Sequence, residues 1–372
     1  MTEKISKAIT LSRFPLIFLV IALHSYFAEI DYSQYPVFSN ITCLLSFIIT
    51  RVAVPLFFAI SGYLFFNKVE IMNLKLYQFK LKKRVKSLLI PYILWNVLFI
   101  LAYFFIIKFQ LVPVQTNGKT VYDYRFTDFV WSLYNTKISV GGETPLWGIL
   151  SGNGCPIAYH MWFVRDLMVT SILSPIIYFL VSNKISRFIY LPLIIVVWAC
   201  VIPFLGDVGY YLSSIAFFSL GAWVSVNKIN IEKVEAWNKI LIAYALAVGI
   251  ELYLYNTKSL PSLYHNVTIL LGLLAFTVVL LKLSGKVKIP QILSGSTFFI
   301  YGGHLMFILL TVKLLQRYVP HNEGILIIAY LCAPIIVCVF LIGCWVVLKN
   351  LSPRLAEWLN GGRYSQLSQK AV

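Results

Sequence analysis

The sequence predicts an all-α fold, a polytopic bundle of about ten transmembrane helices with both termini in the cytoplasm. Three observations carry this expectation. Only 12% of the 372 residues are charged and 59% are hydrophobic, with a mean hydropathy of +0.81; a soluble domain carries about 25% charge. Apolar stretches long enough to cross a bilayer recur along the whole chain. The Lys and Arg residues between them gather in every second connection. In a soluble protein a net charge of +17 would suggest nucleic acid. Here the alternation accounts for it, and nucleic acid is not expected as a partner.

The apolar stretches fall near 14–30, 41–66, 88–107, 158–181, 188–205, 210–226, 238–255, 262–281, 297–316 and 324–348. With the N-terminus inside, the cytoplasmic segments hold Lys4, Lys7 and Arg13, the run Lys68 to Lys86, Lys184 and Arg187, Lys228 to Lys239, Lys282 to Lys288, and the residues from Lys349 onward. Glu29, Asp31, Asp123, Asp128, Glu143, Asp207 and Glu323 lie on the other side. Cytoplasmic loops of membrane proteins are enriched in Lys and Arg in this way. The expected organisation is one membrane domain over 1–372, with an outer loop at 108–159 and a cytoplasmic tail at 349–372.

The first stretch, LSRFPLIFLVIALHSYF from Leu11 to Phe27, carries Arg13 at one end and His24 deep inside. Eleven residues at 100° each make three turns plus 20°, so both side chains share a helix face, roughly 16 Å apart along the axis. Asp31 extends that stripe if the helix continues. A charge inside a span costs roughly 2.5–3.5 kcal/mol on insertion scales and turns toward the bundle interior or a water-filled cavity. A neutral imidazole costs less, and a general base acts in that form. The acidic, aromatic EIDYSQY that follows offers no small-residue cleavage site, so a cleaved signal peptide is not expected.

The second stretch contains RVAVPLFFAISGYLFF, beginning at Arg51. Pro55 interrupts helical hydrogen bonding, and Ser61-Gly62 follows near the inner half. Gly62 suits close helix packing and Ser61 suits bonding back to the chain; the alternative is a helix break there that admits a ligand. Arg51 needs a partner in a span, and Asp31, Asp166 and Glu251 are the outer-side candidates. The basic KLYQFKLKKRVK then leads directly into LLIPYILWN of the third stretch. Its Lys82, Lys83, Arg84 and Lys86 suit anionic membrane lipid at the inner surface, or a polyanionic cytoplasmic ligand carrying phosphates.

The outer loop holds GGETPLWGILSGNG, Trp131, Trp147 and several Tyr residues, which read either as a packed cap or as a sugar-stacking surface. The fourth span opens YHMWFVRDLMV, placing His160, Trp162, Arg165 and Asp166 in its first turns. Neighbours on a helix point about 100° apart, so Arg165 and Asp166 are not expected to satisfy each other well. They read as ion-pair partners for other spans or as a polar pocket for a hydroxyl-bearing acceptor. The ninth span, STFFIYGGHLMFI, sets His304 a short way from a cytoplasmic end near 297, with Tyr301 one turn earlier on the same face. Two intramembrane histidines with Arg13 and Arg51 point to a polar core crossing the bilayer. Cys200, Cys332, Cys338 and Cys344 lie in spans, and only Cys43 and Cys155 could meet at the outer face. LSPRLAEWLNGGR reads as a short interfacial helix. No phosphate-binding Gly-rich loop, zinc motif or nucleophile elbow occurs, and no metal is expected.

Arg13-x10-His24, VPLFFAISGYLFF, KKRVKSLLIPYILWN and YGGHL, in that order, resemble the acyltransferase-3 family of membrane O-acyltransferases. The resemblance runs over most of the chain. WF-x-x-x-L after His160 is similar to stand-alone bacterial members that acetylate surface polysaccharides. The resemblance implies acetyl-CoA as cytoplasmic donor and a hydroxyl, often on a glycan at the outer face, as acceptor. It implies that His24 and Arg13 match the family's essential His and Arg, and that Arg84 matches its basic loop. The family's common R-x-x-R stands here as Lys83-x-x-Lys86 with Arg84 between. The extracytoplasmic esterase-like domain that many relatives carry is not expected from these residues.

The expectation is therefore a multi-pass O-acetyltransferase of the bacterial cytoplasmic membrane, acting on a surface polysaccharide or its lipid-linked precursor. His24 acts as general base or transient acyl carrier. Arg13, with Arg84, Lys83, Lys86 and Ser61, serves the donor. Arg51, His160, Trp162, Arg165, Asp166, Tyr301 and His304 serve the acceptor side, and Arg51 or a backbone N–H at Ser61-Gly62 stabilises the oxyanion. Partners are acetyl-CoA, the glycan or lipid-linked glycan, membrane lipids and a second copy of the chain as a homodimer. A transporter is the rival class, because polar cores and broken helices also mark substrate pathways; no inverted repeat supports it.

Overall fold

The computed structural model describes residues 1–109, 120–137, 154–204, 208–233 and 236–362. The described residues form helices and no strand. In chain order these are α1 (Glu3–Leu23), α2 (Pro36–Phe66) and α3 (Leu74–Lys108), and the short α4 (Phe126–Ser132). A pair, α5 (Tyr159–Ile172) and α6 (Ser174–Ser182), is bent by 63°, and α7 is Ser186–Val201. Then come α8 (Gly209–Val226), α9 (Trp237–Asn256), α10 (Ser262–Leu283), α11 (Gln291–Tyr318) and α12 (Glu323–Leu351), and α13 (Pro353–Leu359). Among the described residues, 8 helices are long and apolar enough to span, or 9 counting the bent pair as one. The shorter α7 occupies the remaining predicted stretch. The chain is a multi-pass membrane protein. Lipid offers the backbone no hydrogen bonds, so only segments that pair internally cross it.

Helix α11 is the central post. Every residue from Ser294 to Leu305 on it is buried, as expected of a helix packed on all sides. Helix α1 packs on α11, α10 and α2, and α8 lies against α2. The last crossing is a backbone contact: a Cβ at Gly221 would sit 1.8 Å from the Ala59 carbonyl oxygen, and one at Gly62 2.0 Å from that of Phe218. Gly62 therefore serves close packing. Gly221→Ala is expected to force the two helices apart and cost about 1–3 kcal/mol. An unchanged thermal midpoint in detergent would refute that contact.

The structure moves three predicted boundaries. Helix α1 starts at Glu3 and ends at Leu23, with His24 as its C-cap at φ −92°, ψ 4°. The Ser46 hydroxyl donates to the Ala22 carbonyl (2.8 Å), satisfying one of the terminal acceptors. Asp31 is thus off the stripe. It caps the turn Tyr32–Gln34, and hydrogen bonds from the Ser33 hydroxyl, the Ser33 N–H and the Gln34 side chain hold its carboxyl below the usual range. In α2 the irregular backbone lies at Cys43–Ile48, a π-helical turn, and Ile49–Val52, a 3₁₀ turn. Ala53–Phe66 is continuous α-helix through Ser61-Gly62, so no helix break exists there. Helix α11 begins at Gln291, which puts His304 near its middle.

The described parts of the 108–159 loop are packed. The Ile157 N–H donates to Ser132 (2.7 Å) and the Thr136 N–H to Cys155 (2.9 Å), while the Tyr92 hydroxyl donates to the Leu133 carbonyl. They form a cap; GGETPLWGILSGNG up to Asn153, with Trp147, lies outside the described residues. No disulfide joins Cys43 to Cys155 or any other two of the six cysteines. At the other end α13 folds back: the Asn360 side chain accepts from the Phe299 N–H (3.1 Å) and donates to the Gly295 carbonyl (2.6 Å). Gly361, at φ +67°, lies where a Cβ would come within 2.6 Å of the Ser87 carbonyl.

Exposed Gln34 and Asn73 flank α2 at its two ends. In a thiol-free background, cysteine at 34 should label from outside intact cells and cysteine at 73 should not. Reversed labelling would remove the cytoplasmic placement of the termini.

Candidate active site

Three imidazoles meet in the bundle. His24, at the end of α1, lies 5.7 Å from His304 of α11 between ring centroids. His160, at the start of α5, lies 4.8 Å from His304. Tyr301 packs against both, at 5.3 Å from His160 and 5.7 Å from His304. The elements holding them are pinned. A Cβ at Gly302 would fall 2.0 Å from the Trp95 indole, so the glycine lets α3 lie directly on α11. The Trp95 indole N–H in turn donates to the Leu359 carbonyl (3.0 Å). The Asn96 side chain accepts from the Ala158 N–H (3.1 Å), anchoring the entry to α5.

Two of the rings have their tautomers set by carbonyls. His304 Nδ1 is 2.6 Å from the Tyr301 carbonyl oxygen, and His160 Nε2 is 3.0 Å from that of Gly302. A ring nitrogen facing a carbonyl must carry the hydrogen. That leaves His304 Nε2 and His160 Nδ1 with free lone pairs; both are buried without a partner. The Tyr301 hydroxyl donates to the His160 carbonyl. The half-buried His24 ring makes no hydrogen bond among the described residues. Buried polar atoms are nearly always paired, so a group of unpaired imidazole nitrogens marks a place where something else binds.

Arg51 belongs to the 3₁₀ turn Ile49–Val52, which packs on α1. None of its three expected partners pairs with it. Asp31 is bound by Ser33 and Gln34, Asp166 by Arg165 and Glu251 by His265. Arg51 lies 5.8 Å from the Phe47 ring, and its Nε is buried without a partner. Arg13 is half-buried and also has no hydrogen bond or ion pair among the described residues.

Arg165 and Asp166 pair through one contact, Nε 2.8 Å from Oδ1, but satisfy each other only in part: Arg165 Nη2 and Asp166 Oδ2 are buried without a partner. The long guanidinium folds back, so the 100° rule for Cβ directions does not govern its tip. Arg165 also donates to the carbonyls of Tyr134 (2.8 Å) and Gly154 (2.5 Å) and lies over the Tyr211 ring at 4.7 Å. This pair fastens the cap. Trp162 stacks in an aromatic group, 4.6 Å from Tyr210 and 6.1 Å from Phe58. At the opposite end of α2, Lys80 donates to the Phe65 carbonyl (2.5 Å) and Arg84 lies over the Phe65 ring at 5.4 Å. Lys83 and Lys86 are exposed. Ser61, one turn before Phe65, is half-buried.

The sequence reading missed the pair Glu251–His265, whose Nδ1 and Oε1 are 2.5 Å apart. A lone acid in an apolar span was the available signal. It also missed the approach of His160 to His304, which no sequence spacing encodes.

The family model described as an acyltransferase domain, acyltransferase-3, matches residues 6–348, a range that includes each of these side chains. The chain belongs to the acyltransferase-3 family. A curated relative, the succinoglycan biosynthesis protein ExoH of Rhizobium meliloti (strain 1021), is 24% identical over 326 residues, covering 84% of this acyltransferase and 80% of the relative. No solved structure matches it.

Proposed function

We propose that this acyltransferase moves an acetyl group from cytoplasmic acetyl-CoA to a hydroxyl of a surface polysaccharide or its lipid-linked precursor, in the bacterial cytoplasmic membrane. The observation that carries this reading is the unengaged His24 ring beside two anchored imidazoles and the unpaired Arg51. The involvement of ExoH in succinoglycan biosynthesis supports a glycan as acceptor.

A thioester is already activated, so the protein need supply proximity, a base and stabilisation of the oxyanion. His24 takes the proton of the acceptor hydroxyl as its oxygen attacks the thioester carbonyl carbon. The carbon–sulfur bond breaks, and the thiolate of CoA leaves with the proton returned from the imidazolium. The lone pair of His304 Nε2 offers a neighbouring acceptor for that proton, and His160 and Tyr301 hold this arrangement. Arg51 faces the developing oxyanion; the N–H groups at Ser61-Gly62 lie inside continuous helix and do not serve. Arg13, Arg84, Lys83 and Lys86, with Ser61, attend the donor. Trp162 lines the acceptor side, and Arg165 and Asp166 act there through the cap.

Reconstituted protein given acetyl-CoA and the host's own base-deacetylated polysaccharide should release CoA and restore acetyl groups to the glycan, read by mass spectrometry. A transporter would release no CoA. Surface glycans with unchanged acetylation in a deletion strain would sink the proposal. A burst of CoA without acceptor would instead select His24 as acyl carrier over His24 as base.

A further inference from the structure

A cavity of about 420 Å³ opens between α2, α9 and α10, near the turn that joins the last two. This is the size of a small-molecule site. Cys43, Arg51, Glu251, Tyr255, Ser262 and His265 are among its lining residues. Helix α9 fully buries only Ala247 and Glu251, so an otherwise peripheral helix turns one acid inward, where it is 1% exposed. That placement is costly unless the acid serves a purpose.

One carboxylate oxygen is accounted for: His265 Nδ1 donates to Oε1 at 2.5 Å. The other, Oε2, is buried with no partner, as is Arg51 Nε across the same cavity. Arg51 and Glu251 do not pair, although neutralising each other is the natural course for opposite charges lining one space in low dielectric. The wall therefore presents an acceptor and a donor with vacant capacity. Hydroxyl groups, which donate and accept at once, fit both. The carboxylate repels the phosphates of CoA and of acidic headgroups. Tyr255 adds an aromatic face suited to the apolar side of a sugar ring. Arg51 lies on the side of the cavity toward the reacting centre: it is 5.8 Å from the Phe47 ring, which packs at 5.7 Å on Tyr26, two residues beyond His24.

We propose that this cavity is the acceptor subsite for one sugar residue of the glycan. Glu251 Oε2 accepts one hydroxyl, and Arg51 turns the neighbouring hydroxyl toward His24. His265 is a positioning residue that fixes the carboxylate. The identity of the ligand as a glycan rests on the acyl-transfer reading above.

The probe is an oligosaccharide prepared from the host's surface polysaccharide by mild base and partial hydrolysis. It is titrated calorimetrically into the full detergent-solubilised chain without acetyl-CoA. Glu251→Gln keeps the shape and removes the charge, and should weaken binding about tenfold or more, as loss of a hydrogen bond to a charged group does. Thermal stabilisation by acetyl-CoA should be unchanged. Ser262→Phe, at the exposed mouth, should abolish oligosaccharide binding while leaving Glu251–His265 intact, and it decides alone should Glu251→Gln unfold. Wild-type binding by both variants, or no binding by the wild type, would overturn the assignment. A wild type that binds the oligosaccharide but never releases CoA would remove the acetyl-transfer reading and leave the subsite standing. Normal transfer in both variants would remove the subsite and leave the chemistry.

Discussion

His24→Ala is expected to insert and fold like the wild type while acyl transfer falls roughly 10²–10⁴-fold, the contribution of a positioned general base. The structure separates the two effects. His24 serves α1 through its backbone N–H, which donates to the Ile21 carbonyl at 3.0 Å, and alanine keeps that bond. Its ring makes no hydrogen bond among the described residues, so truncation leaves no partner stranded. His304 and His160 differ: their rings satisfy the carbonyls of Tyr301 and Gly302. Both carbonyls lie mid-way along α11 and keep their helical donors, so truncating either ring removes one buried hydrogen bond, about 0.5–1.5 kcal/mol, together with the packing of the ring, and these variants should lose thermal stability along with activity. Melting midpoints beside CoA-release rates in reconstituted protein make the comparison. A His24→Ala protein retaining most of its activity would overturn the central assignment.

The bundle was legible because lipid imposes a simple rule: a spanning segment must be apolar and must pair its own backbone. Each predicted stretch accordingly meets a helix. The ends were less legible where helices carry polar turns. Glu3–Arg13 and Gln291–Gly295 are helical but too polar to register as membrane-spanning. Pro55 pointed to the wrong break. It sits in the first turn of Ala53–Phe66, where a missing N–H is tolerated, and the irregular turns precede it at Cys43–Val52. The candidate site was legible as a set of residue types: ionisable side chains in apolar spans identified His24, Arg51 and His304. Their arrangement was not. His24, His160 and His304 come from three helices far apart in sequence, and only packing brings them together: Gly302 lets α3 lie on α11, and Asn96 of α3 holds the entry to α5. For the same reason Asp31, Asp166 and Glu251 looked equivalent as partners for Arg51, whereas each is engaged elsewhere, by Ser33 and Gln34, by Arg165 and by His265.

Charge-removing changes at the two ends of the proposed donor path should separate into different kinetic signatures. Acetyl-CoA carries several phosphate charges, which an inner-surface site must neutralise with Lys and Arg. Arg84 is placed by Phe65 at one end of α2, far along the helix from Arg51. Lys83 beside it is exposed, 4.3 Å from the Phe79 ring. Arg84→Gln and Lys83→Gln are therefore expected to raise the KM for acetyl-CoA several-fold with little change in the KM for the acceptor. Arg13 has no ion-pair partner among the described residues and lies on α1, the helix that His24 caps. Arg13→Gln should lower kcat as well, by roughly 10²-fold if it holds the donor as an electrostatic clamp does, because a donor held at one end only is misplaced at the carbonyl. If these cations merely contact anionic lipid, the same changes would alter insertion or orientation and leave the kinetics of correctly inserted protein alone. Donor titrations on reconstituted, orientation-checked protein decide. An unchanged KM for acetyl-CoA in the Arg84 and Lys83 variants would exclude the basic segment as the CoA site, and an Arg13→Gln protein with wild-type kcat would detach Arg13 from the reacting end of the path.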